Sequence, residues 1–277
     1  MRNILVPLEE HSLLPQVLET ALLLGRTFES YIEGLAITLD LPVAMPVDMA
    51  IGAPSILDPT TRREMAAACY HHFETYMTGQ SIPRAGAGER GLSFGRHEGD
   101  LANDAFLGTY ARLFDLTVVG RPSNRTNHAR LATVEAALFE SGRPVLVVPP
   151  SVPSAIGRRV VIAWNRSTET ARTVAFGMPL LARAESVVVL EAEGWGSGAA
   201  TGESLAASLR RNGIPAEFKM ARGTGGPGAV VLATAASLGC DLLLKGAYTQ
   251  SRIRQMIFGG ATNHILSSTE LPVLMAH

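Results

Sequence analysis

The stretch at residues 241–275, DLLLKGAYTQSRIRQMIFGGATNHILSSTELPVLM, restricts the fold more than any other part of the chain. It reads as a buried strand, a glycine turn at Gly246, a glycine pair at Gly259 and Gly260, a helix and a second strand. A strand that is apolar at consecutive positions needs cover on both faces, which a layered α/β arrangement supplies. Glycine at a strand end lets backbone N–H groups approach an anion, and a helix starting near Gly260 adds its positive N-terminal end. The segment therefore predicts a phosphate site.

A fainter copy lies at residues 115–149, DLTVVGRPSNRTNHARLATVEAALFESGRPVLVVP. Asp115 aligns with Asp241, Gly120 with Gly246, and the PVL at 144–146 with the PVL at 272–274. Near the starts of the two halves, ILVPL at 4–8 is echoed by VVIAW at 160–164, and each runs into a polar turn. The chain reads as a tandem duplication.

In the first half, strands are expected at 3–7, 31–37, 92–98, 115–120 and 144–148, and helices at 13–28, 59–78, 101–113 and 129–141. In the second, strands are expected at 159–164, 186–191, 216–220, 241–246 and 272–276, and helices at 168–182, 203–212, 229–238 and 260–267. Such alternation predicts an α/β fold of two tandem doubly wound, mainly five-stranded parallel-sheet domains. The domains are placed at 1–150 and 151–277, joined by the proline-rich 149–153. The loop at 41–59, LPVAMPVDMAIGAPSILDP, has no counterpart in the second half. It is open to reading as a lid, a partner surface, a membrane-leaning flap or a loop packed on its own domain.

The length of 277 residues suits one large or two ordinary domains, and the repeat favours two. With 47% hydrophobic and 18% charged residues the chain reads as a soluble globular protein. A net charge of −1 carries no footprint for nucleic acid, and no apolar run approaches the length of a membrane span. The start goes straight into a strand, leaving no room for a signal peptide. Cys69 and Cys240 fall in different halves, which suits a reducing cytoplasm, although a single bridge stays open.

On the motifs at 115–149 and 241–275, the chain resembles the universal stress protein family in its tandem two-domain form, over essentially its whole length. The family's nucleotide-binding pattern is a strand, Gly-x-x-Gly, nine residues, and Gly followed by Ser or Thr, with an Asp after the first strand. The resemblance implies an adenine nucleotide alpha hydrolase-like fold with the domains paired through their last strands. It also implies a second-half site for ATP or another adenine nucleotide, with or without Mg.

Carried over by position, Gly246 is the first glycine and Thr249 stands at the second. Gly259 follows nine residues on, then Gly260 in place of Ser or Thr, with Ala261 and Thr262 next. Ala163 lies near the end of the first strand, and Asn165 stands where the family has Asp. Arg252 and Arg254 follow the turn, where guanidinium could pair with phosphate or simply face solvent. The first half keeps Gly120 but has Ser123 at the second glycine, Thr133 further on, Glu9 at the Asp position and a stiffening Pro122. Its motif is degenerate.

Residues 223–228, GTGGPG, precede a helix and could shape a ribose edge or only a turn. His71 and His72 are adjacent on a helix and point about 100° apart, so with His97 and Cys69 they make a poor metal set. Neither a Gly-x-Ser-x-Gly elbow nor a base beside Cys240 is evident, so no catalytic residue is assigned. Asp100 reads as a helix N-cap.

The resemblance implies a cytoplasmic stress-response protein acting through nucleotide-dependent conformation or partner binding, with the first domain as structural partner. Any hydrolysis is expected to be slow. The alternatives are a scaffold or small apolar-ligand protein that binds no nucleotide, and an adenine-nucleotide hydrolase of related fold. Internal domain pairing is expected, and both a homodimer and an unknown protein partner stay open. Gly246→Val and Gly259→Val are expected to abolish nucleotide binding with the fold largely intact, and Gly120→Val to matter much less.

Overall fold

The near-continuous apolar runs become the inner strands of one twisted α/β sheet, in a computed structural model that describes residues 1–38, 59–86, 90–99, 101–123, 127–151, 154–193, 195, 199–247 and 260–277. Strands β1 (Asn3–Leu8), β2 (Tyr31–Ala36), β3 (Ser93–Arg96), β4 (Leu116–Gly120) and β5 (Val145–Val148) make up the first half. Helices α1 (Leu14–Phe28), α2 (Pro59–Gly79), α3 (Asp104–Tyr110) and α4 (Leu131–Glu140) connect them. The second half follows with β6 (Arg159–Ala163), α5 (Thr168–Leu181), β7 (Ser186–Ala192), α6 (Gly202–Arg211) and β8 (Ala216–Ala221). It ends with α7 (Pro227–Ser237), β9 (Leu242–Gly246), α8 (Gly260–Ser268) and β10 (Val273–Ala276).

The ten strands lie in the order β3-β2-β1-β4-β5-β10-β9-β6-β7-β8. Each half thus has the same internal order, and the ladders within each half are parallel. The halves meet at one antiparallel ladder, where Val273, Leu274 and Met275 face Val147, Leu146 and Val145. The two predicted five-stranded sheets are therefore one continuous ten-stranded sheet, joined through the last strand of each half.

Alternate residues along the strands enter two cores. Val6, Val118, Ile162 and Leu244 pack with α1, α2, α5 and α6 on one face, and Leu5, Val119, Val161 and Leu243 with α3, α4, α7 and α8 on the other. The repeated aspartate has a structural reason in both halves. Asp115 Oδ2 accepts from the backbone N–H groups of Arg2 and Asn3. Asp241 accepts from those of Gly157, Arg158 and Arg159. Each carboxylate ties the start of its half's first strand to the start of its fourth.

Two local expectations change. The helix expected at 101–113 begins at Asp104, with Asn103 accepting from Phe106 N at 2.8 Å as its N-cap, and its end tightens into a 3₁₀ turn at Ala111–Leu113. Asp100 lies outside the described residues, and so does the 41–59 loop apart from Pro59, which opens α2. The 223–228 run caps α7, with Gly226 extended at the N-cap, Pro227 in the first turn and Gly225 at φ +116.

Candidate functional site

In doubly wound sheets the strand order reverses beside the first strand, and the crevice at the carboxyl ends there is the usual ligand position. Here that reversal falls between β1 and β4 in the first half, and between β6 and β9 in the second. The order of strands alone thus creates two candidate crevices, and the residues at each decide what it can do.

In the second crevice, Ala163 ends β6 opposite Lys245 of β9. Asn165 follows on the turn, where its Oδ1 accepts from Thr170 Oγ1 at 2.6 Å and from Ser167 N at 3.2 Å. The acceptor oxygen of Asn165 therefore fixes the entry into α5, beside the Ser167 N-cap. Arg166 takes a left-handed backbone at φ +63, and its guanidinium clasps Glu191, Nε to Oε1 and Nη2 to Oε2 both at 3.0 Å. Glu191 also accepts from Gly202 N at 2.7 Å, so this ion pair fastens the start of α6.

Gly246 ends β9 against the first turn of α5. A Cβ there would lie 2.6 Å from Thr170 Oγ1, 2.8 Å from the Glu169 carbonyl carbon and closer still to Thr170 N. This glycine is required by helix packing, whatever else it does. The expectation that Gly246→Val spares the fold is therefore corrected, since the obstacle is backbone.

On the other side of β9, Lys245 is buried at 6% exposure. Its Nζ donates to Gly246 O at 2.8 Å and to Thr262 Oγ1 at 2.7 Å. Burial pulls the ammonium down from 10.5 to about 8. Thr262 is the third residue of α8, so this hydroxyl and amine lie under the helix's first turn. The structure thus brings together Ala163, Asn165 and Gly246, with Thr262 across β9. Gly260 opens α8, with Ala261 next. Thr249, Arg252, Arg254 and Gly259 lie outside the described residues.

Lys245 was missed by the motif, which counts from the glycine after it. The internal repeat carries the signal, because DLTVVG aligns with DLLLKG and puts lysine where the first half has the core residue Val119.

The first crevice is built differently. Thr133, the third residue of α4, matches Thr262 in place, and its Oγ1 donates to Glu9 Oε1 at 2.5 Å. Arg130 reaches in with Nε 2.5 Å from Glu9 Oε1, and its two terminal nitrogens lie 3.0 and 2.7 Å from the Asp104 oxygens. Across the mouth, His11 lies 3.0 Å from where a Cβ on Gly120 would sit, as does Ala129. The Pro122–Ala129 bridge and the Ser12 N–Asn127 O bond close that side. The crevice is filled by the protein's own guanidinium and carboxylates.

Other candidates have local explanations. The His97 ring lies tilted against Phe106 at 5.1 Å and edge-on to Tyr110 at 4.9 Å. Cys69 and Cys240 are free thiols that burial pushes up to about 11, away from nucleophilic use. Among the described residues, no group of three His, Cys, Asp or Glu is placed to hold a metal, and no helix is long and apolar enough to cross a membrane.

The fold is similar over 99% of the chain to a universal stress protein from Archaeoglobus fulgidus DSM 4304, covering 95% of that chain at a TM-score of 0.72 and 15% identity. It is also similar to a functionally unknown protein of Pseudomonas aeruginosa PAO1, with a TM-score of 0.57, 14% identity, and 99% and 92% of the two chains covered. A putative universal stress protein of Pseudomonas aeruginosa UCBPP-PA14 gives 0.56 at 14% identity with the same coverage. No curated protein matches the sequence. The family model described as universal stress protein family matches residues 181–277, the stretch that holds β9, Lys245, Gly246 and α8. The family match thus falls on the second half of the chain, and the fold is shared along its whole length.

Proposed function

We propose that the chain is a stress-response protein that binds one adenine nucleotide, in the crevice between β6 and β9. Its first half, 1–150, serves as a structural partner to a nucleotide-responsive second half, 151–277. The contrast between the crevices carries this proposal. The first holds Arg130 clasped by Glu9 and Asp104, whereas the second presents Lys245 and Thr262 under the start of α8. A helix start with backbone N–H groups and a nearby amine is chemically suited to phosphate oxygens. The family match over 181–277 falls on the same half.

Nucleotide occupancy would act on conformation or partner choice. The two half-buried free thiols suit a cytoplasmic setting. The test is to denature freshly purified protein, identify released small molecules by mass spectrometry, and titrate the nucleotide-free protein with ATP. Adenine nucleotide near one per chain, or saturable ATP binding at one site, supports the proposal. A lipid released instead, together with no ATP binding at millimolar concentration, would overturn it.

A further inference from the structure

Val119 and Lys245 hold the same place in the two halves, one residue before the glycine that ends the fourth strand. The first is an apolar core residue, and the second is a buried ammonium with neutral hydrogen-bond acceptors, Gly246 O and Thr262 Oγ1. No carboxylate pairs with Lys245 among the described residues. The sequence also holds no Asp or Glu between Asp241 and Glu270, so the chain around it offers none. The amine lies against the first turn of α8, where unsatisfied N–H groups add positive potential. Among the described residues, two positive features lie together with dipolar oxygens alone to answer them. A buried charge in that state is electrostatically incomplete.

The matching threonine in the first half shows a complete set. Thr133 sits with one guanidinium and the carboxylates of Glu9 and Asp104. Thr262 sits with a cation and lacks the anions. Because its hydroxyl accepts from Lys245, it retains a proton to donate elsewhere.

We infer that Lys245 is the cationic partner of the nucleotide's phosphate in the second crevice, and that Thr262 donates to the same anion. This rests on the proposal that the crevice takes an adenine nucleotide. One consequence separates this role from simple packing. Burial holds the free ammonium at about 8, and an anion beside it stabilises the charged form. Binding therefore draws in a proton, about half of one per ligand at pH 8, where the free lysine is half charged. Affinity falls as pH rises from 7 to 9.

The experiment is calorimetric titration of the full chain with ATP at pH 7, 8 and 9, each in two buffers of different ionisation heat. The wild type is compared with Lys245→Met and Thr262→Val, each checked for cooperative urea unfolding. The wild type is expected to take up about half a proton at pH 8. Lys245→Met should bind about 10- to 100-fold more weakly at pH 7, with no proton uptake and no pH trend, the scale of a lost charged hydrogen bond. Thr262→Val should lose up to about 10-fold yet keep the proton uptake. Wild-type affinity and proton uptake in Lys245→Met would overturn the assignment and leave nucleotide binding intact. If that variant fails to fold, ATP binding by the wild type without proton uptake at any of the three pH values overturns it equally. Absence of ATP binding by the wild type would sink the nucleotide proposal itself, and this assignment with it.

Discussion

Replacing Gly246 by alanine is expected to damage the fold before it touches any ligand. The added Cβ would meet Thr170 N, Thr170 Oγ1 at 2.6 Å and the Glu169 carbonyl carbon at 2.8 Å, while ordinary contact starts at 3.4 Å. The Glu169 carbon alone must withdraw by about 0.6 Å, the difference between 2.8 and 3.4 Å, and Thr170 N by more. These atoms belong to the first turn of α5, so the helix must move as a body. Its neighbour Thr173 would be carried along, losing its bond from Ala276 N at 3.1 Å and weakening its contact to Lys245 O at 3.4 Å. Forced overpacking of this kind costs about 1–3 kcal/mol, and backbone obstacles put Gly246→Ala near the upper end. Gly120→Ala is the control. Its Cβ would meet Ala129 Cβ and His11 Cε1 at 3.0 Å, a milder approach than the backbone atoms at Gly246, so about 1 kcal/mol is expected. Urea unfolding of both variants measures the difference. A Gly246→Ala stability within 0.5 kcal/mol of wild type, or one equal to that of Gly120→Ala, would refute the packing argument.

Three further outcomes follow from the charged groups. Arg130→Met leaves Glu9 and Asp104 without their guanidinium, and because Asp104 is one-third exposed the cost should be about 2 kcal/mol by urea unfolding, below that of a fully buried pair. His11 accepts from Leu13 N through Nδ1, and burial, with His128 adding to it, pushes the ring down to about 4. The unfolded chain then binds the proton first, so stability should rise by up to about 3 kcal/mol from pH 4 to 6.5, and His11→Gln should flatten that slope. Lys245 is likewise held below its unfolded value, so without ligand the wild type should gain up to about 3 kcal/mol on Lys245→Met between pH 8 and 10.5, when the unfolded chain alone still binds the proton; a constant difference across that range would mean that the amine is solvated.

Much of the architecture was legible because a parallel sheet covered on both faces leaves an unambiguous trace. Runs such as 242–244 and 116–119 have room for nothing but strands, and the PVL at 144–146 and 272–274 marked the two strands that pair across the centre. What was not legible depended on distance in the chain. Asn103 rather than Asp100 caps α3, because both residue types cap well and only the path of the loop chooses between them. Glu9, Asp104 and Arg130 come from three separate segments, so their clasp has no motif. Gly246 was read as a ligand glycine, and a strand-end glycine looks the same in sequence whether phosphate or a helix backbone lies against it. Lys245 was overlooked because a lysine at a strand end reads as the point where burial stops, yet its amine turns back under α8.

The antiparallel seam settles how the two crevices are disposed. All strands of one half run opposite to those of the other, so the carboxyl ends of β1 and β4 and those of β6 and β9 lie on opposite edges of the sheet. The two crevices therefore cannot share a ligand, and any influence between them must cross the sheet. Lys245 pairs directly with Met275 in the β9–β10 ladder, and beside that pair its backbone carbonyl meets Thr173 Oγ1, the same oxygen that accepts from Ala276 N on β10. From β10 the ladder passes to β5 through Leu274 and Leu146, and near that seam Arg121 at the end of β4 donates to Thr269 O at 2.6 Å. A change at the second crevice that moves β9 is thus passed to the seam through β10. Thr173→Val tests this route. It removes the hydroxyl common to β9, β10 and α5 without adding volume and leaves the β9–β10 ladder in place, so hydrogen exchange along β5 and β10 should respond less to ATP than in the wild type while ATP affinity changes less than about 3-fold, under 1 kcal/mol. An unchanged exchange response in that variant would show that the halves communicate by another path, or that the seam is indifferent to the ligand.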